Sequence, residues 1–238
     1  DTFNRWFEPE NGLAAERVLA AAGYHVHHVQ ALDGGRPLCC GRTFLSVGLV
    51  DEARAEARRM VSALAPWVEA GVPIVGLEPA CLLALRDEFH ALLPGAETQA
   101  LAERAMLFEE FLMREQAAGR LALALKPLAE KRALLHGHCH QKAFGVMGSV
   151  ASALALVPEL AVEAIESSCC GMAGAFGYEA GHYDVSMKMA EMSLLPAVRQ
   201  AAGDTLIVAD GTSCRHQVAD GTGREAVHVA RVLERALA

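Results

Sequence analysis

The stretch AVEAIESSCCG, residues 161–171, joins a short strand pattern to two adjacent cysteines and a glycine. A second Cys-Cys-Gly stands at residues 39–41, and each copy is followed about forty residues later by one more cysteine, Cys81 or Cys214. Seven cysteines placed at random in 238 residues would give about 0.2 adjacent pairs. Two pairs, both followed by glycine, therefore indicate a thiolate site that is built twice along the chain.

The second half of the chain alternates between strand-like and helix-like segments around this stretch. Cys139, the pair Cys169-Cys170 and Cys214 each follow one of the predicted strands closely. Such alternation predicts a parallel sheet with helices on its faces. The predicted strands cover residues 133–135, 161–165 and 205–209, and the predicted helices cover 141–156, 182–202 and 227–237.

The first half also alternates between strand-like and helix-like segments, but the residues that end these segments are less regularly placed. Asp1-Thr2-Phe3 predicts the end of a strand that begins earlier, so we expect the chain to be a piece of a longer protein. Residues 119–132 are expected to connect the two halves. The predicted helices cover residues 12–22, 49–70 and 98–118, a further helix starts at Pro79, and the predicted strands cover 24–29 and 73–77.

Both halves fit the order β-α-β-(Cys-Cys-Gly)-α-β-(Cys)-α if the first strand lies before Asp1. The sequence thus predicts an α/β protein with two tandem Rossmann-like halves, residues 1–130 and 131–238, whose parallel sheets are related by a pseudo-twofold duplication. Every cysteine follows a predicted strand, and ligands bind at the carboxyl edge of open α/β sheets. We therefore expect the cysteines to converge.

Composition excludes several classes of function. The net charge is −8, from 21 basic and 29 acidic residues, and aromatic residues make up 5% of the chain, which argues against binding to nucleic acid or anionic lipid. No run of 18 apolar residues exists, so we expect no membrane span. Seven cysteines are an odd and sparse set, which is typical of metal binding or thiol chemistry in a reducing cytoplasm.

Five motifs together resemble a known family, the duplicated cysteine-rich Cys-Cys-Gly domains of the B subunit of heterodisulfide reductase and of the iron–sulfur subunit of glycolate oxidase. Similar domains form the C-terminal part of FAD-linked oxidases that resemble D-lactate and D-2-hydroxyglutarate dehydrogenases. The motifs cover nearly the whole chain: Pro37-Leu38-Cys39-Cys40-Gly41-Arg42, Leu77-Glu78-Pro79-Ala80-Cys81, His138-Cys139-His140, Ser168-Cys169-Cys170-Gly171-Met172-Ala173-Gly174 and Thr212-Ser213-Cys214-Arg215-His216.

The chain departs from the family pattern, which is one Cys, then Cys-Cys, then Cys-x-x-Cys. Gln217 and Ala84 stand where the last cysteine of each half would be, and residues 1–9 contain no early cysteine. The resemblance therefore implies cluster binding in the second half, whereas the first half offers only three thiols. The ferredoxin-type module and the FAD domain that usually accompany this region are missing from this sequence.

The candidate cofactor ligands are all seven cysteines. Four thiolates suit an iron–sulfur cluster, with a [4Fe-4S] cluster implied by the resemblance, but they also suit zinc, and unmetallated thiols or disulfides remain open. The metal ligands that we predict are Cys139, Cys169, Cys170, Cys214 and His216, and the other cofactor-binding candidates are Cys39, Cys40 and Cys81.

Several neighbours of the cysteines have more than one interpretation. Cys39-Cys40 could form a strained vicinal disulfide instead of binding metal. His136, His138 and His140 could ligate or tune a metal, they could relay protons near neutral pH, or they could be ordinary loop histidines. Arg42 and Arg215 could lower the pKa of a nearby thiol, they could offset the negative charge of a thiolate-bound cluster, or they could form surface salt bridges.

Two functions follow from these features. The first is an iron–sulfur electron-transfer domain of an FAD-linked 2-hydroxy-acid oxidase, which takes electrons from a flavoprotein domain or subunit and passes them to a quinone or redox protein. The second is a thiol/disulfide or zinc-supported interaction module without a cluster. No complete active site is expected in this chain alone, FAD would sit on a missing region, and we expect a cytoplasmic location, with membrane association through partners left open.

Overall fold

The computed structural model describes all of residues 1–238, which form fourteen α-helices and six short β-strands. Two single 3-10 turns, Phe176–Tyr178 and Ala180–His182, follow the second Cys-Cys-Gly. The helices are α1 Thr2–Trp6, α2 Pro9–Ala21, α3 Arg42–Ser46, α4 Val50–Glu69, α5 Pro79–Ala84, α6 Glu88–Leu92, α7 Ala96–Arg104, α8 Phe108–Ala117, α9 Cys139–Ala143, α10 Met147–Leu154, α11 Tyr183–Ala190, α12 Leu194–Gln200, α13 Thr212–Thr222 and α14 Val229–Arg235; the strands are β1 Ile74–Gly76, β2 Ala105–Leu107, β3 Arg132–Leu135, β4 Ala161–Ala164, β5 Leu206–Val208 and β6 Ala226–Val227.

The strands form two separate sheets, and every strand pair is parallel. β1 pairs with β2 in a sheet of two strands, and the other four strands lie in the order β4-β3-β5-β6. Helices connect the strands and cover the sheets, so the predicted α/β class is confirmed. Because the two sheets differ in size, the pseudo-twofold duplication stays a prediction.

The largest hydrophobic core lies against the four-stranded sheet. It joins β3 and β5 to α10 and α14, and it also takes in α2 and α8 from the first 130 residues. Their small and branched side chains, such as Ala14, Val18 and Leu112, are fully buried there. The packing therefore crosses residue 130, and the division into two domains at that point stays a prediction.

No helix combines the length and apolar character needed to cross a bilayer.

Most elements of the second half fall where the sequence predicted them. The strands at 133–135, 161–165 and 205–209 are confirmed to within one residue at each end. The helix predicted over 141–156 is two helices, α9 and α10, because Gly145 between them has a φ of 69° and ends the first one. The helix predicted over 182–202 is also two, α11 and α12, separated by residues 191–193.

The first half contains three wrong predictions. Residues 24–29 pair with no strand, although Tyr24 and Val26 pack on the main core. Asp1 does not end a strand but caps α1, since its side chain accepts a hydrogen bond from the backbone N–H of Asn4. The single helix predicted over 98–118 is instead α7, β2 and α8.

Candidate metal centre

The four cysteines of the second half meet at one edge of the four-stranded sheet. Cys139 begins α9 just after β3, Cys169 and Cys170 lie in the loop after β4, and Cys214 lies in the first turn of α13 after β5. These three strands are neighbours and run parallel, so their carboxyl ends share one edge. The Sγ atoms of Cys170 and Cys214 are 3.3 Å apart, and all seven cysteines are free thiols.

Two of these four thiols are acidic. The hydrogen bonds of Cys169 with Cys139 and then with Cys170 hold its pKa well below the usual thiol range. The pKa of Cys214 is also lowered, chiefly by its hydrogen bond with Cys170. The pKa values of Cys139 and Cys170 are correspondingly raised. Because a metal ion binds the thiolate form, the lowered pKa values of Cys169 and Cys214 favour the binding of a metal cation.

The imidazole of His136 lies against the same sulfurs. His136 is 1% exposed, and its ring nitrogen falls within 4.8 Å of the sulfurs of both Cys170 and Cys214. Its Nδ1 is 2.8 Å from Ser167 Oγ, whereas its Nε2 is buried with no hydrogen-bond partner. Buried polar atoms are rarely left unpaired, so Nε2 is available to a ligand.

His216 and Gln217 have hydrogen-bond partners of their own. Nδ1 of His216 lies 2.6 Å from the hydroxyl of Tyr178. Gln217 is buried, and its amide donates to Ser186 Oγ at 3.1 Å. The donors that lie within 4.8 Å of one another are His136, Cys170 and Cys214, and the predicted ligand His216 is not among them. The sequence could not separate His136 from His216, because both flank a cysteine.

The three cysteines of the first half also come together. Cys40 is buried and lies between the other two thiols. Cys39 lowers the pKa of Cys40, but a hydrogen bond to Cys81 and burial outweigh this effect and raise that pKa to about 12. The pKa of Cys39 is raised too, mainly by its hydrogen bond to Cys40. Cys39 and Cys40 are therefore protonated at neutral pH, in contrast to the acidic thiols of the second half.

The two Cys-Cys-Gly motifs adopt the same local turn. In each motif the glycine N–H donates to the first cysteine sulfur, at 3.5 Å for Gly41 and 3.3 Å for Gly171. Both glycines have a positive φ, 75° and 94°. A Cβ atom on Gly171 would lie 2.1 Å from the carbonyl oxygen of Ser186. Only glycine can therefore hold this turn and its N–H···S contact.

Polar side chains and a lysine surround the two sets of thiols. Thr212 N donates to Glu78 Oε2 at 3.0 Å, so the helices that carry Cys81 and Cys214 start side by side.

Burial, with the positive charge of Arg42 as a second cause, lowers the pKa of His140 to about 4, so that ring is neutral at pH 7. Lys142 donates to the backbone carbonyl of Ser168 at 2.8 Å. No sequence pattern marks this lysine, because its carbonyl partner becomes close only in the fold.

The two predicted arginines both form ion pairs. Arg42 pairs with Glu88. Arg215 is 3% exposed and pairs with Glu8, which comes from the other end of the chain. Arg215 is thus buried and Glu8 half-buried, so the pair is not the surface salt bridge that was one interpretation of this arginine.

A second polar cluster joins Glu109, Asp210 and His228, all buried. Nδ1 of His228 accepts from the backbone N–H of Ala230 at 3.0 Å, so the ring proton sits on Nε2, which is 3.1 Å from the Leu77 carbonyl oxygen. A protonated Nε2 has no lone pair for a cation. The donor set therefore does not fit a metal, whereas the four thiols and the free Nε2 of His136 do.

Comparison with known proteins agrees with this site. Residues 133–219, which contain Cys139, Cys169, Cys170 and Cys214, match the family described as a cysteine-rich domain, CCG. The chain is 29% identical to the C subunit of anaerobic glycerol-3-phosphate dehydrogenase of Escherichia coli over 239 residues, which are 99% of this chain and 57% of that protein. It is 29% identical to a D-2-hydroxyglutarate dehydrogenase of Pseudomonas putida over 98% of this chain and 21% of that protein.

A third relative has about the same length as this chain. Lactate utilization protein A of Bacillus licheniformis is 23% identical over 95% of this chain and 93% of that protein. By contrast, the chain spans little more than half of the glycerol-3-phosphate dehydrogenase subunit and about a fifth of the D-2-hydroxyglutarate dehydrogenase. The chain carries a CCG cysteine-rich domain in residues 133–219 and is homologous to these dehydrogenase and lactate-utilization proteins.

Proposed function

We propose that this chain is the iron–sulfur electron-transfer region of an FAD-linked oxidoreductase that oxidises a 2-hydroxy acid. The observation that carries the proposal is the convergence of four free thiols, two of them acidic, at one sheet edge. An iron–sulfur cluster held by Cys139, Cys169, Cys170 and Cys214 would supply one-electron chemistry at this edge. The flavin would lie on another region or subunit, and a quinone or redox protein would accept the electrons.

The surroundings of the thiols suit such a role. Cys139 is exposed, whereas Cys170 and Cys214 are buried, so the site has one open side and a buried interior. The N–H of Gly171 already points at the sulfur of Cys169, and hydrogen bonds to sulfur tune reduction potentials. The names of the relatives support a substrate with an oxidisable hydroxyl, since glycerol-3-phosphate, D-2-hydroxyglutarate and lactate all carry one.

The first three cysteines have a smaller part in this proposal. Cys39, Cys40 and Cys81 offer only three thiols, one fewer than the four that usually hold an iron–sulfur cluster. We propose that they support the protein beside the centre, with cluster binding left to the second half.

A thiol/disulfide role is the second candidate. It is favoured by the separation of 3.3 Å between the sulfurs of Cys170 and Cys214, which could close to a disulfide. In that case any bound zinc would be structural. The two candidates differ in whether iron and sulfide accompany the protein.

A pair of matched substitutions tests the location of the centre. Cys169→Ser should remove the bound iron of anaerobically purified protein almost completely, because it deletes an acidic thiol of the second half. Cys81→Ser should leave most of the iron in place. Iron and acid-labile sulfide per chain are measured for both variants; full iron in Cys169→Ser would exclude the second half, and complete loss in Cys81→Ser would move the centre to the first.

A further inference from the structure

We infer that His136 is a ligand of the second-half centre through Nε2, in the role that a fifth cysteine would otherwise have. This inference rests on the proposed function, because it concerns the same thiols. Among the predicted metal ligands, His136 takes the place of His216 beside the four cysteines. The centre is then a site with both thiolate and imidazole ligands.

The ring of His136 is held beside the sulfurs by the sheet. His136 follows β3 directly, and its backbone N–H donates to the carbonyl of Val208 at 2.8 Å, which fixes the residue at the sheet edge between β3 and β5. From there the ring nitrogen reaches the sulfurs of Cys170 and Cys214 within 4.8 Å. Three donors that follow three different strands thus face one point.

The surroundings of the two ring nitrogens of His136 suit a metal ligand. Ser167 Oγ lies 2.8 Å from Nδ1, and a hydrogen bond from Nδ1–H to this hydroxyl would leave the lone pair on Nε2. Lys142 Nζ lies 3.4 Å from the same hydroxyl and occupies another of its lone pairs. Metal-bound histidines are commonly oriented in this way through their second nitrogen. Nε2 itself is buried and unpaired.

His216, next to the place of the missing cysteine, does not belong to the donor group within 4.8 Å that joins His136, Cys170 and Cys214. Gln217 is bonded to Ser186, and His216 is bonded to Tyr178. A neutral imidazole in place of a thiolate removes one negative charge from the ligand set. Replacement of cysteine by histidine ligands raises the reduction potential of an iron–sulfur centre. We therefore expect a higher potential here than all-cysteine ligation would give.

The test uses the full chain, purified anaerobically, in wild-type, His136→Ala, His136→Cys and His216→Ala forms. X-ray absorption at the edge of the bound metal counts nitrogen and sulfur ligands, and nitrogen hyperfine coupling is read by pulsed EPR if the metal is iron. We expect a nitrogen ligand in the wild type and in His216→Ala, and its loss in His136→Ala with about tenfold weaker metal retention. His136→Cys should retain the metal, without the nitrogen signal and with a lower midpoint potential.

Each outcome decides the matter. A wild-type centre with sulfur ligands alone, or a nitrogen signal that persists in His136→Ala or disappears in His216→Ala, would overturn the assignment of His136 while leaving the proposed function intact. A wild-type chain that binds no metal would overturn the proposed function and this inference together. Since His136→Ala could fail to fold, His136→Cys gives an independent result: a folded, metal-bearing variant that keeps the nitrogen signal also refutes the inference.

Discussion

Glu109 is a carboxyl group sealed in the core with no hydrogen-bond partner for either oxygen. Burial, and after it the negative charge of Asp210, raises its pKa well above the usual 4.5. Asp210 accepts hydrogen bonds from the amide of Gln141 at 2.8 Å and from the backbone N–H of Val229 at 3.1 Å. Glu109 has no such partners, so its burial disfavours the charged form of its carboxyl group.

Glu109→Gln should stabilise the protein at alkaline pH. A raised carboxyl pKa costs the native state free energy above pH 4.5, because the unfolded chain ionises the group freely, and the cost grows until the pH passes the folded pKa. We expect the variant to gain about 1–2 kcal/mol at pH 8 and almost nothing at pH 4.5. Glu110→Gln, which breaks an ion pair with Arg86, is the control and should not stabilise at pH 8. Denaturant unfolding of the three proteins at both pH values gives the answer, and equal stability of Glu109→Gln and wild type at pH 8 would contradict it.

At the scale of single residues, the sequence could identify the chemistry but not the partners. The seven cysteines and the histidines near them are visible as motifs. Which histidine faces sulfur depends on Ser167 and Tyr178, which lie 31 and 38 residues from their partners. Glu109 resembles its neighbour Glu110 in the sequence, and only the fold buries one and pairs the other.

The loop after β4 is the element on which the centre depends most. Gly171→Ala would place a Cβ atom 2.1 Å from a backbone carbonyl in a residue with φ of 94°. The loop must then move, so we expect a loss of about 3 kcal/mol or more in stability together with most of the bound metal. Gly174→Ala is the control: its φ is also positive, at 70°, but its Cβ would meet nothing within 4 Å.

The control variant, Gly174→Ala, should lower the stability of the protein by about 1 kcal/mol and leave the metal in place. Thermal unfolding and metal content per chain distinguish the two variants. If Gly174→Ala were as damaging as Gly171→Ala, the backbone angle alone would be responsible, and the close approach to Ser186 would be irrelevant.

Elements were predictable where local pattern and tertiary role agree. The strands β3, β4 and β5 lie next to residues that end regular structure and pair along their length, so the sequence pattern was sufficient to predict them. β2 was not predicted because Ala105, Met106 and Leu107 continue a helix-forming run, and only pairing with β1 makes them a strand. Residues 24–29 have the alternation of a strand but no neighbour to pair with, and pairing is a tertiary property.

The whole molecule is held together by contacts between the ends of the chain. The buried pair of Arg215 and Glu8 joins the start of the chain to α13, and Arg215 also donates to the carbonyl of Ala209 at 2.8 Å. α2 packs against α14 in the same region. The first residues are thus part of the support beneath Cys214.

Arg215→Ala should destabilise the protein by about 3–5 kcal/mol, because it leaves the Glu8 carboxylate partly buried without its cation. Lys131→Ala removes an exposed pair with Glu159 and should cost no more than about 1 kcal/mol. Urea unfolding with both variants measures the difference. Similar losses for the two would mean that the link between Glu8 and Arg215 adds nothing to the fold.

At the largest scale, the sequence predicted the α/β class and the meeting of cysteines at the sheet edge, since strand ends in a parallel sheet share an edge. It could not predict that α2 and α8 would pack on the four-stranded sheet. The apolar face of a helix shows which side of the helix is buried, but it does not show which other element covers that side.

The content of iron, zinc and acid-labile sulfide per chain, measured with the visible spectrum on anaerobically purified protein, decides whether residues 133–219 hold an electron-transfer centre. We expect near-stoichiometric iron and sulfide, bound by Cys139, Cys169, Cys170 and Cys214, and a broad absorption near about 400 nm. Zinc without sulfide, or no metal with seven titratable thiols, would refute the iron–sulfur proposal and favour the thiol role.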